Sequence, residues 1–290
     1  MKSNKDKFQN NFKDDKSYTN WIHHIEEFFS KNDLDINWIE NFEIFCLRYN
    51  LNIKHLKAIL NDPKVIPMIR GKSFEFTAKD YVSTILSEKY YVTNPRLNAQ
   101  TGLNDIDVSI INQSNGKKYS VECKLAKKGS FRLNRGKNPY IEVKCMRSRT
   151  LGENAALQRS KLTGIPFEAL MVHNDQYIAK DFDLVITSIA NAFFQTDTDG
   201  LFYWFPPPEA QLFLEKLGIS NQNDAFSKMY VAKSKHLAAN QINQVKCTRQ
   251  KCKDLNCSFI PNYPKIYFDN FTGQPLDPWV SMDNIESLLD

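Results

Sequence analysis

Residues 105–124 read DIDVSIINQSNGKKYSVECK, and the way this stretch folds decides how the rest of the chain is arranged. Both ends alternate β-branched or aromatic residues with polar ones, and Asn115-Gly116 between them is a strong short-range signal for a type I′ hairpin. With those two residues as the loop, Ser114 pairs with Lys117, Ile110 with Val121, Val108 with Cys123 and Asp107 with Lys124. Successive side chains leave a strand on opposite faces. Ile106, Val108, Ile110, Tyr119, Val121, Cys123 and Leu125 then line one face, and Asp105, Asp107, Glu122 and Lys124 line the other. One face is a core; the other gathers three carboxylates around one ammonium.

Like charges at neighbouring cross-strand positions repel, and one lysine cannot neutralise three acids. A divalent cation would resolve the conflict. In this register Asp107 and Glu122 are diagonal neighbours, roughly 7–8 Å apart at the backbone, so their carboxylates can converge on one ion. Mg²⁺ suits such a pair because it accepts one or two carboxylates and keeps waters that a substrate displaces. Such an ion activates water and stabilises charge on a phosphoryl oxygen. Lys124 would orient that water or offset negative charge in the transition state. The competing reading is the solvated outer face of an edge hairpin.

An Asp at the start of one strand, a hairpin, and then an apolar residue followed by Glu-x-Lys resembles the core of the PD-(D/E)xK nucleases, here Asp107 and Val121-Glu122-Cys123-Lys124. Asn104-Asp105-Ile106 stands where that family usually has Pro before the Asp. The family's upstream helix carries an acidic residue near the metal, and Glu75 in GKSFEFTAKDYVSTILSEKY occupies the matching position. The likeness covers about residues 70–190, and among relatives it is most similar to type II restriction endonucleases. It implies an α/β (α+β) fold with a mixed central sheet and flanking helices. It also implies Mg²⁺ held by Asp107 and Glu122, with Glu75 or Asp105 assisting, and Lys124 beside the nucleophile. A homodimer acting on double-stranded DNA follows from the same likeness.

The remaining sequence bounds these expectations. At 290 residues, 42% apolar and 24% charged, the composition is that of a globular chain able to bury a substantial core. A formal charge of +5 permits a polyanionic partner without requiring one. No apolar run is long enough to cross a bilayer, the start MKSNKDKFQNNFKDDK lacks a signal-peptide core, and six cysteines without an export signal read as reduced thiols in a cytoplasm.

Three regions are expected: residues 1–69, helical, with DNA contact as one possibility; 70–200, the nuclease-like core; and 201–290, basic and aromatic. From Trp21 to Leu60 the apolar spacing is helical. Two stretches joined at Tyr49-Asn50-Leu51-Asn52 form either a packed helical subdomain, which is favoured, or a helix-turn-helix presenting Lys54, His55 and Lys57. Pro63 and Pro67 close this region. Residues 71–89 make a helix with Phe74, Ala78, Val82, Ile85 and Leu86 as its apolar stripe, and Tyr90-Tyr91-Val92 begins a strand.

After Lys124 comes LAKKGSFRLNRGKNPYIEVKCMRSRT, where Lys127, Lys128, Arg132, Arg135, Lys137, Lys144, Arg147 and Arg149 meet a single acid, Glu142. Lys127, Lys128, Arg132, Arg135, Arg147 and Arg149 are the candidates for following a phosphate backbone or reading guanine edges. The second Glu-x-Lys, Glu142-Val143-Lys144, has no partner Asp arriving by a hairpin and reads as another strand of the sheet. Leu151–Leu162 is helical, Phe167–Val172 is a buried-strand candidate, and Asp183–Thr187 is another. His173 and Asp175 follow a strand end, where a lone His is more often structural.

FYWFPPPEAQ is a turn or packing elbow, Gln211–Gly218 a short helix, and the tail an irregular closing segment. Cys247, Cys252 and Cys257 recur with four residues between neighbours in a basic stretch. Three thiols could bind Zn²⁺ with one further ligand such as His236, but this spacing is loose for zinc and no fourth ligand is evident, so the site is disfavoured. The alternatives to a restriction endonuclease are a sequence-specific DNA-binding protein with an idle nuclease-like core and a repair or junction nuclease.

Overall fold

The computed structural model of the protein describes residues 44–95, 106–133 and 136–289. The chain divides into two compact units, one ending at Asn61 and the other beginning at Asp62. The helices expected between Trp21 and residue 43 lie outside the described residues. In the first unit a helical stretch over 44–48 and helix α1 (Ile53–Leu60) flank the expected junction. Asn50 turns the chain at φ 52°, a conformation Asn tolerates better than most residues. The Asn52 side chain accepts the Lys54 N–H at 3.1 Å. Lys54 and His55 are exposed, and the side chain of Lys57 lies outside the described residues.

The second unit opens with helix α2 (Val65–Ile85). It starts earlier than residue 71 because Pro67 sits in its first turn, where its missing N–H has no intrahelical partner to lose. Pro67 therefore lies inside the helix instead of closing the region before it. Phe74, Ala78 and Val82, four residues apart, are its buried stripe. Strands β1 (Tyr90–Thr93), β2 (Val108–Asn112) and β3 (Lys118–Cys123) follow as an antiparallel meander. The chain continues through β4 (Tyr140–Glu142), helices α3 (Glu153–Thr163) and α4 (Phe167–Val172), and β5 (Leu184–Ser188), which lies parallel to β3.

Next come the ribbon β6 (Phe194–Thr196) with β7 (Phe202–Trp204), and helices α5 (Gln211–Lys216) and α6 (Gln222–Ser227). After them run β8 (Met229–Lys233), α7 (Ser234–Leu237), β9 (Lys265–Tyr267) and β10 (Val280–Ser281). The main sheet has six strands in the order β1-β2-β3-β5-β8-β10, with β3–β5 the parallel pair. The fold is thus mixed α/β, a mixed sheet with flanking helices. Alternation assigns the two faces. Val108, Ile110, Val121, Leu184, Ile186 and Val231 pack with Phe74, Ala78 and Val82 of α2. Val185, Tyr230 and Ala232 pack on the other side with Phe131, Ile141, Phe193, Phe268 and Trp279.

Three expectations change. Phe167–Val172 is a helix, because a six-residue apolar run is ambiguous and Pro166 at its N-cap restarts the helical path that Gly164, at φ 74°, had ended. β4, carrying Glu142, leaves the main sheet and pairs with β9. Residues beyond 200 supply β8 and β10 to the main sheet, so no boundary falls at 200 and the tail closes the core.

Phe74 is fully buried and Phe76, two residues on, is 59% exposed. Phe74→Ala should therefore cost about 3–5 kcal/mol of unfolding free energy and Phe76→Ala about 0.5 or less, read by urea denaturation.

Candidate functional site

The hairpin forms with a longer loop than a type I′ turn. Asn112 and Lys117 close it, with the Asn112 N–H on the Lys117 carbonyl at 2.8 Å and the Gly116 N–H on the Asn112 carbonyl at 2.8 Å. Gly116, at φ 71°, takes the left-handed position. Asn115 has no positive φ and uses its side chain to accept the Lys117 N–H at 2.9 Å. The register becomes Val108↔Val121 and Ile110↔Tyr119, two residues from the expected one. A two-residue shift leaves every side chain on its original face, since the strand period is two. Carried one pair further, it sets Asp107 opposite Glu122, at a Cβ separation of about 4.5–5.5 Å for such pairs.

Asp107, Glu122 and Lys124 share one environment. Glu122 is 7% exposed, and its Oε1 accepts both the Tyr177 hydroxyl at 2.8 Å and the Lys124 ammonium. Asp107 Oδ2 accepts the Cys123 N–H at 2.8 Å, and the Asn94 side chain donates to the Asp107 carbonyl at 2.7 Å. Burial, reinforced by the Glu122 charge and more weakly by Glu75, pushes the Asp107 carboxyl up to about 7, against the opposing pull of Lys124 and the Cys123 N–H. Burial alone would lower the Lys124 ammonium, but Glu122, Tyr177 and Asp107 hold it well above its ordinary value. Burial, with Glu122 beside it, raises the Tyr177 phenol. Lys124 is thus a fixed cation, and Asp107 is a carboxylate short of positive charge.

Tyr177 belongs to this site and was not anticipated. It follows the HNDQ turn after α4 and carries no motif; its hydroxyl reaches Glu122, and its carbonyl accepts the Ile260 N–H at 2.8 Å. Glu75 contributes at a distance: its carboxylate pairs with Lys72 one turn away on α2, while its charge still acts on Asp107. Glu75 stays a candidate third carboxylate beside the Asp107–Glu122 pair through its charge on Asp107. Asp105 lies outside the described residues.

The basic candidates divide. Arg147 is turned inward, donating to Asp181 at 2.6 Å and to the Gln176 carbonyl at 3.1 Å, with its guanidinium 4.8 Å from the Tyr177 ring centre. Asp181 is shared with Arg159, so Arg147 balances a buried acid instead of facing a phosphate backbone. Lys127 pairs with Glu142 at 2.6 Å, and Lys128 bonds Thr196 and lies over Phe202. Arg132 is exposed but donates to the Gly129 and Phe131 carbonyls at 2.7 and 2.6 Å. Arg149 and Lys144 are exposed, and Arg135 lies outside the described residues. Asp175 is structural, taking Arg249 and Asn262.

A second constellation forms elsewhere. His173, Cys247, Cys252 and Cys257 each bring one ligand atom within 4.8 Å of the others. The fourth member is His173 and not His236, because the turn after α4 lies against the cysteine-bearing loop. Among the described residues this is the only grouping of three or more His, Cys, Asp or Glu ligands at that spacing. No described helix is long and apolar enough to cross a membrane.

No family model, curated protein or solved structure matches the chain.

The raised Asp107 carboxyl sets a pH dependence. In the metal-free protein the folded state holds a proton that the unfolded chain gives up near pH 4, so folding is favoured by Asp107 below about 4 and the benefit is lost as pH rises to about 7. The thermal midpoint in EDTA should fall across that window, and Asp107→Asn should flatten the fall. A slope unchanged in Asp107→Asn would assign it to another group.

Proposed function

We propose that the protein is a divalent-metal-dependent phosphodiesterase built on Asp107, Glu122 and Lys124. The observation that carries this reading is the convergence of one buried carboxylate, one half-buried carboxylate and one fixed ammonium at the C-terminal end of a central strand. Within that class, the reading favoured is a Mg²⁺-dependent site-specific endonuclease acting on double-stranded DNA, as the resemblance to type II restriction endonucleases implies. The order helix, strand, hairpin, here α2, β1 and β2–β3, supports it.

The donor set fits a hard cation. Both residues offer carboxylate oxygen, and burial together with the Glu122 charge pushes the Asp107 carboxyl toward neutrality. Asp107 and Glu122 would hold the ion. Their constrained oxygens are Asp107 Oδ2 and Glu122 Oε1, which leaves Oδ1 and Oε2 able to ligate without breaking a hydrogen bond. When bound, Mg²⁺ supplies water activation and charge neutralisation at phosphorus.

The chain's own residues do the rest. Tyr177 fixes the Glu122 carboxylate, and Lys124, which keeps its proton, acts as a hydrogen-bond donor that places a water or offsets charge on a phosphoryl oxygen. Exposed Arg149, Lys144 and Arg132, in the segment after β3, are the cations available to a phosphate backbone. A two-fold homodimer would present one site to each strand of a duplex.

Purified protein incubated with plasmid and Mg²⁺ should yield discrete fragments, and none with EDTA. Asp107→Ala and Lys124→Ala should each reduce cleavage by about 10²-fold or more while gel-shift affinity stays largely intact. Full activity in both variants removes the site. A metal-indifferent shift without products would favour a DNA-binding protein with an idle core, and cleavage confined to branched substrates would favour a junction nuclease.

Tyr177→Phe keeps the ring and removes the donor to Glu122. It should lower the cleavage rate about 10-fold and weaken Mg²⁺ affinity, read as a higher half-saturating Mg²⁺ concentration.

A further inference from the structure

We infer that His173, Cys247, Cys252 and Cys257 form a structural Zn²⁺ site that clips the loop over residues 247–257 to the turn after α4. The ligand chemistry selects the ion: three thiolates and one imidazole in a four-member set are a zinc donor set, with no carboxylate to favour a harder cation. The spacing agrees. Zn–S near 2.3 Å and Zn–N near 2.0–2.1 Å put tetrahedral ligand atoms roughly 3.5–3.8 Å apart. The four atoms already lie within 4.8 Å of one another, so closure needs shifts of side chains and not of backbone segments.

The atoms around the cluster are arranged for an ion. Gln176 Nε2 donates to the Ile260 carbonyl at 2.9 Å, which turns Oε1 toward His173 Nδ1 at 2.6 Å. Arg249 Nε also donates to that Oε1, at 3.2 Å. Oε1 is therefore an acceptor, Nδ1 carries the imidazole proton, and Nε2 presents its lone pair. A carbonyl oxygen on the second ring nitrogen is the usual partner of a zinc-ligating histidine. The ring is further fixed by stacking on Phe259, with centroids 3.9 Å apart and planes 9° from parallel.

On the sulfur side, the Arg249 N–H points at Cys247 Sγ at 3.4 Å, and the Phe259 N–H hydrogen-bonds to Cys257. Amide donors two residues beyond a cysteine stabilise a thiolate. Three thiolates on Zn²⁺ carry one net negative charge, and Lys246, Lys251 and Lys253 stand next to the cysteines in the sequence.

The local core explains the need. Its buried members are Ala156, Leu170, Ile178 and Phe259, too few to hold a loop that has no helix or strand of its own. The clip also bears on the carboxylate site, since the turn it fixes runs from His173 through Gln176 to Tyr177.

The test is metal content, independent of nuclease activity. Untagged full-length protein, purified without chelator or added metal, should contain one zinc per chain by mass spectrometry, released into a chromogenic chelator as an organomercurial titrates the thiols. Exchange with Co²⁺ should give tetrahedral visible bands and a sulfur-to-cobalt charge-transfer band, neither of which an oxygen-only site at Asp107 and Glu122 produces. Cys252→Ser with Cys257→Ser should remove both the zinc and the charge-transfer band. Substoichiometric zinc in the wild-type chain, zinc that survives the double substitution, or a disulfide among the three cysteines in freshly purified protein would overturn the proposal. Because the wild-type measurement needs no variant, misfolding of the double substitution cannot shield it. Loss of cleavage with zinc present would count against the nuclease reading alone.

Discussion

A carboxylate buried in the central strand of the sheet is the constraint around which this protein is built. Glu122 lies on β3 between β2 and β5, and it is 7% exposed. An ionised carboxylate in such a place is unfavourable unless paired and hydrogen-bonded. Two residues away along the chain, Lys124 supplies the charge, and Tyr177 supplies a hydroxyl from a different part of the fold. Asp107 then adds a second carboxyl that the same ammonium cannot fully serve. A pair of acids and a single cation make a poor structural element, and the proposed divalent ion would supply the missing positive charge.

Holding Tyr177 in place recruits a large share of the C-terminal sequence. Its carbonyl takes the Ile260 N–H, Ile178 bridges Phe259, and Arg147 lies over its ring while neutralising Asp181 together with Arg159. The segment that runs on from Ile260 pairs with β4 and then enters the main sheet as β10. The site thus depends on residues spread from β2 to the far tail, and one fold unit carries both the helix–hairpin half and the closing strands. This is why a boundary at 200, plausible from the aromatic and Pro-rich FYWFPPPEAQ segment, fails. Trp204 packs into the core beside Phe193, so the segment does not separate two domains.

The sequence made the faces of the hairpin legible because alternation is a short-range property and survives an error of two residues in register. The register itself was not legible. It hinged on whether Asn115 would adopt a positive φ or spend its side chain on a neighbouring N–H, a choice that turn chemistry leaves close in energy. Helix α2 was visible in its stripe but not in its start, since Pro67 signals a helix opening as well as a break. Tyr177 and His173 were illegible for another reason. Each acts on residues far away in sequence, Glu122 in one case and three cysteines in the other, and no local pattern encodes a contact of that kind. The cysteines announced themselves by spacing, whereas their histidine could be found only once the turn after α4 had been placed against them.

Charge counting along the chain misjudges which cations a polyanion can meet, and the segment after β3 shows why. Its basic residues look like one continuous patch in the sequence, yet the fold spends several of them internally: Arg147 on Asp181, Lys127 on Glu142, and Arg132 on its own carbonyls. Farther on, Arg159 and Arg249 are likewise committed to Asp181 and Asp175. A buried acid draws arginine because a guanidinium offers several donors with weaker hydration than an ammonium. The cations left outward, such as Arg149 and Lys144, are fewer and more dispersed than the sequence suggests, in keeping with a formal charge of only +5. On the proposed reading, affinity for a phosphate backbone would have to come from a small set of contacts on this surface, and phosphate contacts alone carry no sequence information. On that reading, any discrimination between sequences would have to be made by groups that reach base edges, and the exposed cations would orient a duplex over the carboxylates without choosing it.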